Sequence, residues 1–312
     1  MGRRRKFGRK VNGVLLVNKP SGLTSNALLQ QAKRLFFAEK AGHTGALDPL
    51  ATGVLPLCFG EATKFSQYLL DADKIYLSTF ELGVVSDTAD ADGKVLQTTP
   101  AAHITRDMVL EAMSSYFGPI KQVPPMYSAL KKDGQPLYKL ARQGIEIDRP
   151  ARDVTIFSYD LVDFIPGERA MAIVRIHCSK GTYVRSLAAD LGEDLGVGGR
   201  VSTLHREKAG PFGEDASLDL EVLAQERGDG MAETLDHHLL PMDAPVSALP
   251  KIIISDDSGF YFGHGQSIMD IQVYQIGEEG DTVRVFQESG RFLGLAQISD
   301  DGCLAPKRLV VY

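Results

Sequence analysis

The segment Gly42–Pro56 contains the carboxylate best placed for chemistry, that of Asp48. Pro49 follows it and restricts Asp48 to an extended backbone, while the surrounding glycines let a ligand or another backbone segment approach closely. A carboxylate held in this way can act as a nucleophile or as a general base. The same residues are also typical of an Asp-Pro turn without a chemical role. His43 likewise allows two interpretations: its ring could stack on a nucleobase, or it could be a loop histidine that hydrogen-bonds to the backbone.

A second dense segment, Ser179–Arg185, supplies a cation and an aromatic ring. The guanidinium of Arg185 is suited to pair with a carboxylate and favour its ionised form. Tyr183, like Tyr76 earlier in the chain, offers an aromatic face with a polar tip. Core tyrosines and a surface arginine would give the same pattern, and periodicity does not decide between these interpretations.

The sequence gives no sign of metal or nucleotide-phosphate chemistry. It has no H-E-x-x-H, C-x-x-C, P-loop or G-x-S-x-G pattern, and its three cysteines lie far apart. His237 and His238 are adjacent, which on a helix should point their rings apart. We therefore expect no metal site, no disulfide framework and a reducing cytoplasmic environment. No apolar run approaches the roughly 20 residues of a membrane span.

Charge is unevenly distributed along the chain, whose formal net charge is −6. Residues 1–10 carry six basic side chains and no acid, and residues 121–152 carry seven basic and three acidic side chains interleaved with Tyr127 and Tyr138. Basic residues with aromatics suit a phosphate backbone and exposed bases, although solvated surface loops look the same. Residues 214–236 hold eight acids against Arg227 alone.

Hydrophobic periodicity predicts the elements that would position these residues. The predicted strands are Val11–Val17, Ile75–Leu82, Val154–Phe164 and Met171–Cys178. The predicted helices are Asn26–Phe37, Ala62–Leu70, Met108–Tyr116, Tyr183–Leu191 and an acidic segment at 214–240. Residues 42–60 are predicted to be loop-rich because they contain four glycines and two prolines. The strand-turn-helix at 171–191 would present Tyr183 and Arg185 from a rigid support.

A proline-punctuated linker separates this part from a short C-terminal region. Five β-like runs follow, at Ile252–Ile254, Ile271–Ile276, Thr282–Phe286, Phe292–Ile298 and Leu309–Tyr312. Their Gly and Asp turns predict a small β-rich domain.

The motifs taken together closely resemble the TruB family of tRNA pseudouridine synthases. The matching segments follow in register and cover almost the whole chain: Val14–Ser25, Gly42–Pro56, Gly60–Lys64, Asp73–Tyr76, Gln122–Lys131, Cys178–Arg185, Leu204–Arg206 and Pro306–Val311. The resemblance implies an α+β pseudouridine synthase fold with a mixed, largely antiparallel central sheet flanked by helices. It implies a basic tail at 1–10, a catalytic domain at 11–245 and a PUA-like RNA-binding domain at 250–312.

The resemblance also implies a reaction, the conversion of uridine 55 in the T-loop of tRNA to pseudouridine without cofactor or metal. The base is detached from C1′ of its ribose, turned and rejoined through carbon. Asp48 matches the catalytic nucleophile, Arg185 the arginine that pairs with it, and Tyr76 the tyrosine that stacks on the flipped uracil. The remaining matches are the pocket residues Tyr183 and Leu204, the T-loop contact His43, and the supporting segment Lys19 and Pro20.

Two other classes stay open at this point. A noncatalytic RNA-binding protein would use the basic segment and the β-rich domain without modifying a base. An aspartate-dependent hydrolase is opposed by the lack of a second carboxylate at motif-like spacing. We expect a monomeric enzyme that binds the tRNA T-arm, with residues 1–10 and 121–152 on the RNA side and the acidic helices facing away. The atom that Asp48 attacks stays open.

Overall fold

The computed structural model describes residues 7–132, 134–270 and 273–312. The basic side chains expected at Arg3, Arg4, Arg5 and Lys6 lie outside the described residues. The strands are β1 (Gly13–Lys19), β2 (Ala41–His43), β3 (Thr52–Phe59), β4 (Lys74–Leu82), β5 (Val84–Ser86), β6 (Val95–Thr98), β7 (Gly118–Gln122), β8 (Lys131–Lys132), β9 (Gln135–Pro136), β10 (Arg152–Ile165), β11 (Met171–Cys178), β12 (Gly199–Ala209), β13 (Phe212–Gly213), β14 (Lys251–Ile254), β15 (Ile268–Met269), β16 (Thr282–Gln287), β17 (Phe292–Ile298) and β18 (Cys303–Leu309).

The α-helices are mostly short and are accompanied by 3₁₀ turns. They are α1 (Ser25–Leu35), α2 (Ser66–Asp71), α3 (Arg106–Met113), α4 (Leu137–Ala141), α5 (Val184–Asp194), α6 (Leu220–Arg227), α7 (Asp256–Gly263) and α8 (Val273–Ile276). The 3₁₀ helices are Gly60–Phe65, Ser114–Tyr116, Glu214–Ala216, Ala232–His238 and Ala244–Val246. Within the described ranges, no helix has the length and apolar character needed to cross a membrane.

A mixed central sheet organises the larger part of the molecule. Among the described residues it has nine strands, with the path β1-β3-β12-β4-β11-β10-β7 and with β2 and β13 attached to β3 and β12. Its pairings are antiparallel except for a short parallel contact between β12 and β3. Apolar side chains cover both faces, where α3 and α5 pack on one side and α1 on the other. The prediction of a mixed, largely antiparallel sheet flanked by helices is confirmed.

The prediction of a loop-rich segment at 42–60 is wrong for its second half, which forms the buried strand β3. Val54, Leu55 and Leu57 are fully buried and pair with β1. Gly53 allows this strand to pass β12, since it has a φ of +102° and a Cβ there would lie 2.2 Å from the carbonyl oxygen of Arg206. The glycine therefore marks a close backbone approach rather than a loop.

The C-terminal residues form a second sheet, with the order β14-β16-β17-β18-β15 and its own apolar core. The small β-rich unit expected from the sequence is thereby confirmed, with two local differences. The predicted strand at 271–276 is wrong where the structure describes it, because residues 273–276 form one helical turn. A short apolar run does not distinguish a strand from a helical turn. The last strand is Cys303–Leu309 rather than 309–312, and it accommodates Pro306 at a register shift.

The two sheets are joined by an apolar contact and by polar ties. Phe65 packs against Phe292 with ring centroids 5.4 Å apart, within a buried cluster that includes Val246. Arg284 donates to Asp243 at 2.8 Å across the linker. Burial of these aromatic rings stabilises one arrangement of the small sheet against the large one.

The acidic segment is three short helices rather than one, because Leu218 forms a bridge with Val17 of β1 between the first two and Gly228, with a φ of +49°, ends the second. Arg9 of the basic tail pairs with Asp236 in this segment, and its Nε also donates to Phe36 at 2.9 Å. The expectation that the tail and the acidic helices lie on opposite sides is therefore wrong at Arg9. The attraction of opposite charges brings the two segments together.

Candidate functional site

A cleft of about 300 Å³ opens above the middle of the central sheet. It lies where the loop before β3 and the start of α5 meet the strands β4 and β12. Five of the sequence-predicted residues line it: Asp48 and Arg185, which lie side by side, and Tyr76, Tyr183 and Leu204. The sheet order brings these segments together from distant parts of the chain.

Asp48 and Arg185 form an ion pair at the base of the cleft. The Nε atom of Arg185 lies 2.8 Å from Oδ2 of Asp48, and Nη2 donates to Oδ1 at 3.1 Å. The arginine side chain is only 4% exposed, whereas that of Asp48 is 38% exposed. The carboxylate thus faces the cleft while a buried guanidinium supports it from behind, through one hydrogen bond from Nη2 and a close ionic contact of Nε, a combination that the single ammonium of lysine cannot reproduce.

The guanidinium is held by further acceptors that fix its plane. Nη1 donates to the carbonyl oxygen of Thr88 at 2.9 Å, and Nη2 donates to that of Tyr127 at 2.8 Å. Nε also lies 3.7 Å from Oδ2 of a second carboxylate, that of the buried Asp90. Burial raises the pKa of Asp90, although a hydrogen bond from Thr88 opposes the shift.

Sequence reasoning missed Asp90 and assumed that no second carboxylate accompanied Asp48. The run Ser86-Asp87-Thr88-Ala89-Asp90 directly after a strand is the signal that could have found it. The structure corrects this assumption, because Arg185 contacts both acids. The two carboxylates share one guanidinium rather than flanking an open space, so they do not resemble the acid and base pair of a hydrolase.

Tyr76 and Tyr183 give the cleft its aromatic surface, and the mostly buried side chain of Leu204 adds an apolar contact. Burial raises the pKa of the Tyr76 hydroxyl, and the nearby guanidinium of Arg206 opposes that shift. Burial likewise raises the pKa of Tyr183. Both side chains are therefore neutral at physiological pH, and their rings can receive a planar, uncharged base.

Gln122 clamps the backbone of Tyr183, a contact that the sequence did not indicate. Its Oε1 accepts from the Tyr183 amide at 2.7 Å and its Nε2 donates to the Tyr183 carbonyl at 3.1 Å. The glutamine is buried, so both ends of its side-chain amide are satisfied. This pair fixes the start of α5, from which Arg185 projects into the cleft.

Lys19 lies below the cleft and supports the Asp48 loop. Its fully buried ammonium donates to the carbonyl oxygens of Pro20, Pro49 and Ala51, at 2.9, 3.1 and 2.6 Å. Burial lowers the pKa of Lys19 to about 8. Pro20 is exposed and contributes only its carbonyl to this network.

Arg206 supports the same loop from β12, and sequence reasoning assigned it no role. It is almost completely buried, and its Nε donates to the carbonyl of Val54 at 2.8 Å. His43, on β2, is not among the residues that line the cleft, and its buried Nδ1 has no hydrogen-bond partner among the described residues. Burial lowers the pKa of His43, assisted by the charge of Arg206, so the ring is neutral.

Comparisons with known proteins show the family of this chain. Three family models match successive parts of the chain: TruB family pseudouridylate synthase (N terminal domain) at residues 33–184, tRNA pseudouridylate synthase B C-terminal domain at 185–247, and Pseudouridine synthase II TruB, C-terminal at 250–310. The chain is 59% identical over 310 residues to tRNA pseudouridine synthase B of Saccharophagus degradans, covering 99% of both chains. It is 49% identical over 306 residues to the protein of that name in Stutzerimonas stutzeri, covering 98% of both.

Solved structures give the same result for the fold. A chain in the crystal structure of a Cbf5-Nop10-Gar1 complex matches with a TM-score of 0.68 and 28% identity, over 92% of this chain and 78% of that one. A chain in an H/ACA RNP bound to a substrate RNA containing 2′-deoxyuridine matches with a TM-score of 0.70 and 23% identity, over 100% and 92% respectively. The pseudouridine synthase fold expected from the sequence is confirmed, and the chain belongs to the TruB family of pseudouridylate synthases.

Proposed function

We propose that this enzyme converts uridine 55 in the T-loop of tRNA to pseudouridine, with Asp48 as the nucleophile. The observation that carries the proposal is the half-exposed carboxylate of Asp48, paired at 2.8 Å with the buried guanidinium of Arg185 inside an aromatic cleft. The names of the curated relatives support tRNA as the substrate. The motif resemblance supports the T-loop position.

The reaction breaks the bond between N1 of uracil and C1′ of ribose and forms a bond between C5 and C1′. The hydrogen on C5 leaves as a proton, and N1 gains one, so the product is an isomer of uridine. Asp48 can serve by attacking C1′, by attacking C6 of the base or by removing a ribose proton. In each route the carboxylate must be ionised, and the two-point contact from Arg185 favours that state.

A base inside a folded loop must leave its stack before Asp48 can reach it. Extrusion of this kind costs a few kcal/mol and needs a surface that receives the flipped base. Tyr76 supplies that surface by stacking, while Tyr183 and Leu204 close the pocket around it. His43 lies outside the cleft lining and is suited to contact the T-loop beside the extruded nucleotide, since its ring is neutral.

The wider RNA surface follows from charge and fold. The basic segment 121–152 borders the cleft, because its Ser128 and Ala129 line the cleft and its Gln122 clamps Tyr183. We assign the division into a catalytic domain at 11–245 and a PUA-like domain at 250–312, the latter adding affinity at the tRNA acceptor end. The enzyme acts as a cytoplasmic monomer and uses neither cofactor nor metal in catalysis.

The test is base-resolved pseudouridine mapping of a tRNA transcript treated with the purified full-length chain. We expect one modified position, uridine 55, and the same position on a T-arm stem-loop. A transcript in which cytidine replaces uridine 55 controls for modification elsewhere. Tight, salt-sensitive tRNA binding without any modified base would instead support a noncatalytic RNA-binding protein. Modification at another position would refute the T-loop assignment.

A further inference from the structure

Two histidines and a glutamate meet on the surface formed by α6 and the 3₁₀ helix Ala232–His238. Nε2 of His238 lies 2.7 Å from Oε2 of Glu226, and Nε2 of His237 lies 3.4 Å from Oε1 of the same carboxylate. The two imidazole rings are 3.9 Å apart between centroids. The expectation that adjacent histidines point apart is therefore wrong, because both rings turn toward Glu226 from the end of a short helix.

A backbone hydrogen bond fixes which ring nitrogen of His237 faces Glu226. Nδ1 lies 2.8 Å from the carbonyl oxygen of Thr234. A carbonyl only accepts, so Nδ1 donates to it, and Nε2 is turned toward Glu226. A backbone carbonyl that orients an imidazole in this way is the usual support of a metal-binding histidine.

We propose that Glu226, His237 and His238 bind one divalent transition-metal ion, Zn²⁺ being the best match. Two imidazole nitrogens and one carboxylate oxygen form a common zinc ligand set. Tetrahedral zinc with bonds of about 2.0 Å separates its ligand atoms by about 3.3 Å. The three ligand atoms here all lie within 4.8 Å of one another, so small side-chain rotations give that arrangement. Water completes the coordination, and Ca²⁺ and Mg²⁺ are disfavoured because they prefer oxygen ligands.

The position of this cluster predicts a structural role. Leu223 of α6 and Leu235 of the 3₁₀ helix are fully buried in the apolar core that α1 forms with one face of the central sheet. A metal ion held by Glu226 and the two histidines would cross-link these two helices above that core. None of the three ligands lines the cleft, so the metal should affect the stability of the folded chain and leave the chemistry unchanged.

The test is Zn²⁺ titration of the untagged full-length chain by calorimetry, with Co²⁺ absorption as a spectroscopic readout. We expect one saturable site of micromolar affinity, a Co²⁺ band typical of nitrogen and oxygen ligands, and a thermal midpoint that rises with Zn²⁺. His237→Ala, His238→Ala and Glu226→Gln should each weaken binding at least tenfold and abolish the thermal shift.

His264→Ala is the matched control, since His264 is exposed and its Nδ1 also lies 2.7 Å from a backbone carbonyl, that of Phe260, but it belongs to no such cluster among the described residues. This variant should bind Zn²⁺ as the wild type does. Three results would overturn the proposal: no saturable site below millimolar Zn²⁺, unchanged affinity in both His237→Ala and His238→Ala, or equal loss in His264→Ala. Circular dichroism at equal concentration identifies a variant that has failed to fold, and Glu226→Gln then decides.

Discussion

Replacement of Arg185 by lysine should separate turnover from tRNA binding. The guanidinium contacts Asp48 through two nitrogens and also donates to the carbonyls of Thr88 and Tyr127. One ammonium cannot satisfy this set, because it is a point donor on a flexible stem. The side chain lies behind the carboxylate and is almost fully buried, so the substitution leaves the RNA-facing surface intact.

The size of the effect follows from the contacts that are lost. A hydrogen bond to a charged group contributes about 1.5–3 kcal/mol, and the substitution removes at least one such bond to Asp48. A loss of about 3 kcal/mol in transition-state stabilisation corresponds to roughly a hundredfold lower turnover. Carbonyls left without a donor should reduce the free energy of unfolding by about 1–3 kcal/mol each.

The assay is single-turnover pseudouridine formation at saturating enzyme, with tRNA affinity measured separately by filter binding. We expect about a hundredfold slower chemistry and affinity within about threefold of the wild type, as the size estimate predicts. Arg175→Lys is the matched control, because Arg175 makes a comparable two-point contact with Glu207 on an exposed strand face. Unchanged turnover with weakened affinity would refute the reasoning and make Arg185 a phosphate contact.

Three further predictions follow from the geometry. Tyr76→Phe should keep most of the turnover and Tyr76→Leu should lose most of it, because stacking on the base needs the aromatic ring. An equal loss of steady-state turnover in the two variants would contradict this role for Tyr76. Gly53→Ala should destabilise the chain by several kcal/mol in chemical unfolding, because its Cβ would lie 2.2 Å from a backbone oxygen. Gly118→Ala, which also has positive φ but no atom within 4 Å, should cost only about 1 kcal/mol. The pKa of Lys19 is lowered from 10.5 to about 8, so between these pH values the unfolded chain binds more protons than the folded one, and the free energy of unfolding rises with pH. The difference in unfolding free energy between wild type and Lys19→Met should therefore increase in favour of the wild type from pH 8 to 10.5, by at most about 1.4 kcal/mol per pH unit. A difference that does not change with pH would disprove the assignment.

The sequence indicated the residues of the site better than it indicated the contacts that hold those residues in place. Asp48 and Arg185 lie 137 positions apart, yet each stands in a short segment whose composition suggests chemistry. The strand Met171–Cys178 and the start of α5 were also predictable, because alternation along the strand and Gly181 at its end are local signals. Local signals of this kind survive in the fold because they agree with the tertiary packing.

The supporting contacts could not be predicted, since each depends on long-range pairing. The clamp of Gln122 on Tyr183 spans 61 positions, and no periodicity of either segment announces it. The strand β3 was missed because burial on both faces overrides the local preference of Gly53 and Pro56 for turns. The meeting of His237 and His238 at Glu226 depends on side-chain rotation at a helix end, which sequence spacing does not specify.

The most direct test of the account is release of tritium from tRNA labelled at C5 of its uridines, measured for wild type and Asp48→Asn. Rearrangement must expel the C5 hydrogen, so the readout follows the chemistry itself. We expect Asp48→Asn to bind tRNA with affinity within about threefold of the wild type and to release no tritium in a single turnover. Asp300→Asn, an exposed substitution in the turn between β17 and β18, should react at the wild-type rate. Release at the wild-type rate from Asp48→Asn would contradict the central claim that this carboxylate carries the reaction.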